Sequence, residues 1–513
     1  MKSTSMLDDL SILNIQSSLR KLKEKKIGAL ELTDFFLNRA KKLEALGAYI
    51  TLDPEQARKE AALADHLIAT EGKDAFIKKP LLGVPLAIKD MICTKDLKTT
   101  AASLILENFI PPYDATAVAK LKAAGGIILG KTNMDEFAMG SSNENSAFFA
   151  ACNPWDTSRV PGGSSGGSAV AVAARLALGA LGTDTGGSIR QPAAFSGIVG
   201  LKPTYGRVSR YGAIAFASSL DQIGPMALNV DDASLLLSII SGEDQHDSTS
   251  AAVAPPKFNF LNSENKEQSP SSSIKGLRIG VPKEYMSAAG INPEVEKIIR
   301  AALEKFVELG ARLVEISLPN TNLALAAYYI IAPAEASSNL ARYDGVRYGR
   351  RAKISPKDSL FEMYAKSRGE GFGREVRRRI VIGTYVLSSG YYDAYYLQAL
   401  KARRLVFEDF VKAFQDCCDI IACPTSPTTA FKLNEKTSDP VAMYLNDIYT
   451  IPVNLAGLPA ISIPCGFDSQ KLPCGLQLIG NAWDEERLLK VAKIYESNTG
   501  WKDRLPPTVE VLP

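Results

Sequence analysis

The 513-residue chain carries 59 Lys+Arg against 56 Asp+Glu, a net charge of +3, with 46% hydrophobic and 22% charged residues. These are globular proportions: they exclude wholesale disorder and give no polyanion-binding signature, so any RNA contact has to be local or made by a partner. No apolar run reaches the roughly 18 residues of a membrane span, and the polar, helix-like stretch from Met1 to Lys26 has no signal-peptide core.

The expected location is therefore the compartment of synthesis, either the cytoplasm or an organellar matrix or stroma, with no membrane contact. The seven cysteines are scattered and odd in number, which suits a reducing compartment rather than a disulfide framework or paired zinc ligands. The only histidines are His66 and His246. Most proton-shuttling hydrolases rely on imidazole, so a catalyst here needs another base.

In chain order, residues 1–70 read as a helical segment packed on the body of the protein. Residues 83–90, GVPLAIKD, alternate Val84, Leu86 and Ile88 on one side and put Lys89 on the other at the strand's end. Asp114 is placed to cap a helix running to about Ala124, stopped by Gly125 and Gly126 and followed by a buried strand at 127–129. Two Gly/Ser tracts, 162–168 and 186–188, flank an alanine-rich helix expected from about Ala169 to Ala180. Residues 247–273, rich in Ser, Pro and Ala, read as an exposed insertion.

Beyond it the strand signal returns at Leu277, Ile279 and Val281. Asn292 as cap, Pro293 at the first helical position and an apolar stripe from Val295 to Phe306 predict a helix ending at Gly310. Strands follow at 312–318, 420–423, 460–463 and 476–479. With no internal repeat, this pattern predicts one large α/β unit, residues 1–513.

Two motifs match by formula only. Residues 125–132, GGIILGKT, fit the phosphate-loop pattern, but a helix precedes the first glycine and the arch would be a stiff β-branched run. Residues 162–166, GGSSG, fit the nucleophile elbow around Ser164, yet the one downstream histidine is His246, at the edge of the insertion. A glycine-serine tract is most often a linker. Residues 161–204 differ, because the tract runs into an apolar helix and then into a second tract, TDTGGSIR, followed by Phe195, Ile198, Val199 and Leu201. Glycines embedded in core-like sequence serve unusual torsions or close approach of a ligand to backbone N–H groups.

This segment, with GVPLAIKD upstream, resembles the amidase signature family, whose catalysts are two serines and a lysine. The resemblance implies a central mixed β-sheet sandwiched between layers of helices. It places the nucleophile on Ser188, a bridging serine on Ser164 and the base on Lys89, with a cis peptide at Gly163–Ser164. The chemistry is self-consistent. A free lysine is neutral about once in 2,500 at pH 7, and burial that lowers its pKa by roughly 3 units lets Lys89 draw a proton from Ser164 while Ser164 draws one from Ser188. The N–H groups of Thr185, Gly186, Gly187 and Ser188 can form an oxyanion hole. Asp184 and Arg190 read as structural, and Ser165 and Ser168 as loop hydrogen-bonders.

Residues 134–148, 328–349 and 373–396 are further similar to the glutaminase subunits of tRNA-dependent amidotransferases. That likeness implies glutamine as substrate, with Arg378 for its α-carboxylate, Asp447 for its α-ammonium and Tyr329 as a wall. Arg378 competes with a role as one charge of the solvated run 377–379. It also implies partners: a B-type subunit that binds Glu-tRNA(Gln) or Asp-tRNA(Asn) and uses ATP and Mg²⁺, and a small C-type clamp, with no cofactor in this chain. The alternatives are a free-standing amidase with the same relay acting on another small amide, and a non-catalytic or nucleotide-binding protein.

Overall fold

A computed structural model of the chain describes residues 10–258, 274–286 and 290–510. The expected strands form as β2 (Val84–Lys89), β3 (Gly126–Thr132), β7 (Arg278–Pro282), β8 (Arg312–Ile316), β9 (Ile420–Pro424), β10 (Ala460–Phe467) and β11 (Pro473–Ile479), and four more join them, β1 (Tyr49–Leu52), β4 (Gly179–Asp184), β5 (Val199–Lys202) and β6 (Gln222–Ala227). They join one mixed sheet in the order β1-β3-β2-β4-β6-β5-β10-β11-β9-β7-β8. The β3-β2-β4 and β9-β7-β8 neighbours are parallel; the other pairs are antiparallel.

Every residue of β2, β3, β4, β5, β6, β9 and β11 is buried, whereas at the two edges β1 is half-buried throughout and β8 is half-buried or exposed except at Ile316. Strands apolar on both faces require cover on both faces. The helices used below are α1 (Ile15–Lys23), α2 (Ala29–Lys42), α3 (Pro54–Glu71), α4 (Thr116–Ala123), α5 (Gly166–Ala173), α6 (Arg190–Ser196), α7 (Val230–Ile240), α8 (Pro293–Glu308), α9 (Ala324–Asn339), α10 (Arg374–Val386), α11 (Leu397–Lys412) and α12 (Glu485–Ser497). Helix α8 starts as its sequence demands: Asn292 Oδ1 accepts from Glu294 N at 2.8 Å, Pro293 is first, and Val295, Ile299, Ala302, Leu303 and Phe306 face the core. Among the described residues no helix is long and apolar enough to cross a membrane.

Four local expectations change. Asp114 does not cap α4. Its carboxylate accepts from Lys95 N (2.8 Å) and pairs with Lys122 (2.9 Å), while Ala115 takes the cap position without a side-chain bond. The alanine-rich helix ends at Ala173, because Arg175 turns at φ +59° and Gly179–Ala180 enter β4, whose small residues let α5 lie against it. The N-terminal segment contributes β1 as well as α1, α2 and α3, pairing antiparallel with β3. The phosphate-loop match is strand β3 itself. Lys131 there is buried and donates to the Ile92 carbonyl, Thr94 Oγ1 (3.2 Å) and Thr99 Oγ1 (3.0 Å), with no loop to cradle a phosphate. Of the expected insertion, residues 247–258 are partly exposed, with Pro256 and Phe258 buried, and 259–273 lie outside the described residues.

Candidate active site

Strands β2 and β4 are parallel neighbours, so Lys89 at the end of β2 and the Thr185–Ser188 tract leaving β4 emerge on the same side of the sheet. Crevices at such strand ends are where open α/β sheets bind ligands. The tract carrying Ser164 and Ser165 leads into α5, and a bond from Ser165 N to the Ser188 carbonyl (3.1 Å) ties it to the second tract. The Gly163–Ser164 peptide is cis.

Lys89 is fully buried, with Nζ 2.7 Å from Ser164 Oγ, 2.9 Å from Ser165 Oγ and 2.8 Å from Thr183 Oγ1. Burial pushes its ammonium down to about 7, against the opposing pull of Asp135, Asp184 and Asp221. Counting hydrogens then orients the cluster. Ser165 Oγ donates to the Thr183 carbonyl (3.1 Å) and Thr183 Oγ1 to the Met91 sulfur (3.1 Å), so both hydroxyls present lone pairs to the lysine. A neutral amine has two N–H donors and one lone pair. The donors go to Ser165 and Thr183, and the lone pair is left facing Ser164. Ser188, two residues before α6, is 8% exposed, against 0% for Ser164 and Ser165.

The backbone of the second tract is pinned from behind. Buried Asp184 pairs with Arg190 at 2.9 Å and accepts from the amides of Gly187 (2.9 Å) and Ile189 (3.1 Å). Burial pushes its carboxyl up, but Arg190 wins and holds it at about 2. Thr450 Oγ1 donates to the Gly186 carbonyl at 2.6 Å, so the Gly186–Gly187 peptide is tied at both ends and the Gly187 N–H leaves the expected oxyanion set. The Gly187 carbonyl accepts from Gln191 N (2.8 Å), and a trans peptide turns the Ser188 N–H the opposite way. Gly187 has φ +141°, and a Cβ there would collide with Thr450. Gly187→Ala is expected to cost at least about 2 kcal/mol from strain and overlap, measurable as a fall in the denaturation midpoint.

Asp447 is 7% exposed. Its Oδ2 accepts from Ser141 Oγ, its Oδ1 is buried with no partner among the described residues, and a Gly187 Cβ would lie 3.2 Å from that Oδ1. Burial pushes its carboxyl up to about 7, against the Ser141 hydrogen bond. Tyr329 stacks on Tyr444 with ring centroids 3.8 Å apart. The two arginines that follow Arg377 part ways here. Arg379, not Arg378, packs over Tyr329 (5.3 Å) and Tyr444 (5.5 Å), its Nε bonded to Glu375 Oε1 at 2.9 Å. Arg378 reaches the other Glu375 oxygen from a side chain that is 31% exposed. Tyr328, which sequence reasoning passed over, lies against Gly186, whose Cβ would sit 2.8 Å from its hydroxyl. His246 is on the surface, bonded to Asp244 (2.9 Å) and packed on Tyr211, so the elbow reading of Ser164 has no imidazole.

A family model described as Amidase matches residues 31–489. The chain belongs to the amidase family. Among curated amidase relatives, the A-type subunit of the glutamyl-tRNA(Gln) amidotransferase of Methylobacillus flagellatus is 56% identical, covering 96% of this chain and 99% of its own. That of Nitrosococcus oceani is 57% identical over 94% and 97%. Among solved amidase structures, the corresponding glutamyl-tRNA(Gln) amidotransferase chain of Thermotoga maritima superposes with TM-score 0.76 at 42% identity, covering 96% of this chain and 95% of that one. The peptide amidase of Stenotrophomonas maltophilia gives 0.78 at 30% identity over 97% and 98%. The mixed sheet between helical layers is thus the amidase fold.

Proposed function

We propose that this chain is the glutamine-hydrolysing subunit of a tRNA-dependent amidotransferase, with Ser188 as nucleophile, Ser164 as bridge and Lys89 as base. The observation that carries the choice of amidotransferase over free-standing amidase is near-full-length identity of 56–57% to curated A-type chains, against 30% to a peptide amidase. In the mechanism, neutral Lys89 accepts the Ser164 proton as Ser164 accepts that of Ser188, whose oxygen attacks the side-chain carboxamide carbon of glutamine. The oxyanion is met by the amides of Thr185, Gly186 and Ser188. Ammonia departs as the proton returns through Ser164 to the leaving nitrogen, and water then releases glutamate from the acyl-enzyme by the same relay in reverse. With lysine as the titrating base, kcat/KM for glutamine should rise through about pH 7 as the ammonium deprotonates; a flat profile across that pH would count against this assignment.

The unpartnered oxygen of Asp447 supports an amino acid as substrate, because a buried carboxylate oxygen without a donor suits an α-ammonium. Arg378, with a side chain 31% exposed, is the guanidinium accessible to the α-carboxylate, while Arg379, 3% exposed, is paired with Glu375 and packed against the tyrosine rings. Asp447→Asn is expected to raise KM for glutamine by about 30-fold or more. It should also stabilise the fold at mildly alkaline pH. A carboxyl whose pKa rises on folding to about 7 from an ordinary value near 3.8 disfavours the native state as pH climbs through that window, and the amide does not. Thermal midpoints within and above that window, taken with KM, check both halves.

Ammonia would pass to a B-type subunit that holds Glu-tRNA(Gln) or Asp-tRNA(Asn) and uses ATP and Mg²⁺, with a small C-type subunit clamping the pair. The near-neutral charge of this chain supports leaving tRNA to that partner. Hydrolysis of glutamine assayed with each charged tRNA in the reconstituted complex identifies the acceptor. Full activity of the lone chain on other amides, with none on glutamine, would replace this reading by the free-standing amidase.

A further inference from the structure

Helix α10 has two unlike faces. Val376, Arg379, Gly383 and Val386 point inward, Arg379 to the site just described. The C-terminal half of the outward face and the π-helical turn beyond it (Tyr392–Tyr396) are rich in apolar and aromatic side chains where solvent should select polar ones. Val381 is 68% exposed, Ile382 is exposed too, and Tyr385, Tyr391, Tyr392 and Tyr395 each lie between 40% and 48%. These rings are ordered against one another: Tyr385 packs on Tyr391 at 4.4 Å, and Tyr391 on Tyr395 at 6.0 Å. Isolated exposed apolar residues are ordinary, but a contiguous patch of this kind marks an interaction site. Tyrosine gives contact area at low entropic cost, the more so when its rings are already stacked, and it is enriched among residues that dominate binding energy.

The geometry points to this tyrosine ledge as the docking surface for a second kind of chain, one that offers an apolar centre bordered by carboxylates. The inference rests on the reading of the chain as one component of an amidotransferase, and it takes the ATP-using, ammonia-accepting component for the occupant. Charge selects that occupant over a second copy. Exposed Arg374 and Arg377 open the same helix beside the half-exposed Arg378, whereas the ledge itself holds one carboxylate, Asp393. A second copy would bring another basic row to meet the first, with too few acids to answer it; an acidic-rimmed partner pairs with it. Position supports the choice. One helix carries the ledge outside and Arg379 inside, so a partner seated there presses on the element that lines the substrate site.

The test uses the full chain with Val381→Asp and Tyr391→Asp together, and a gentler Tyr391→Ala/Tyr395→Ala variant in case the first folds poorly. Ile77→Asp, at another exposed apolar position, serves as control. Calorimetric titration with the cognate ammonia-accepting subunit should show affinity lowered at least about 100-fold by either ledge variant and unchanged by the control, with thermal midpoints preserved. Unchanged affinity in a folded ledge variant, or no binding by the parent chain, overturns the proposal. So does sedimentation of the parent chain as a dimer that the ledge variants convert to monomer. Glutamine hydrolysis by a Ser188→Ala chain reports on the catalytic reading separately, so the two can fail independently.

Discussion

Ser188→Ala is expected to lower glutamine hydrolysis by at least about 10⁴-fold while leaving ammonium-supported amidation of the charged tRNA by the complex intact. The size follows from the chemistry. Alanine offers no oxygen to form the acyl-enzyme, and neither Ser164 nor Ser165 can replace it, since both are fully buried and both face Lys89. The sparing of ammonium-supported transfer follows because free ammonia bypasses the step at which Ser188 acts. Single-turnover release of glutamate and ammonium-fed amidation, measured on one preparation, separate the two. Glutamine hydrolysis within about tenfold of the parent would exclude Ser188 as nucleophile.

Lys89→Arg tests the base. Arginine keeps donors for Ser165 and Thr183, but as a guanidinium it stays charged at working pH and has no lone pair to offer Ser164. Its loss in kcat/KM should therefore reach about 10³–10⁴-fold, comparable with Lys89→Met, and the limb near pH 7 should vanish from the profile. A residue that acts only through shape or charge would instead tolerate arginine better than methionine. Retention of most activity and of the pH limb in Lys89→Arg would falsify the relay. The environment built around Lys89 fits this demand: among the described residues its amine bonds three hydroxyls and no carboxylate, so burial prevails over the more distant pull of Asp135, Asp184 and Asp221. A carboxylate at bonding distance would have held it protonated.

Seven of the eleven described strands, helix α8 and the position of Lys89 at a strand's end were legible from residue periodicity, because a side chain's face along a strand or helix is set by local geometry alone; β1, β4, β5 and β6 were not, being four to six residues long and, in the last three, interrupted by glycine. The two glycine-serine tracts could be recognised as functional for a related reason: a linker has no cause to sit inside apolar sequence. What periodicity could not supply is which groups meet across the sheet. Arg379 marks that limit. The stripe Val376, Arg379, Gly383, Val386 is a helical face readable from sequence, yet only the packing of α10 against Tyr329 and Tyr444 identifies that face as the inner one. Asp184 taking the Gly187 amide, Thr450 holding the Gly186 carbonyl and the unpartnered oxygen of Asp447 are contacts between segments hundreds of residues apart or between turns of unpredictable torsion.

By itself, then, the sequence determined an α/β chain with only two histidines and with glycine-serine tracts set in core-like sequence, because residue type and spacing dictate local conformation; the two serines and the lysine came from the resemblance to the amidase signature family. Only the tertiary structure decided which hydroxyls surround the Lys89 amine, which tract amide is taken by Asp184 and which arginine of the run is buried against Tyr329 and Tyr444. Those are matters of distance and burial, and both arise only when remote segments pack together.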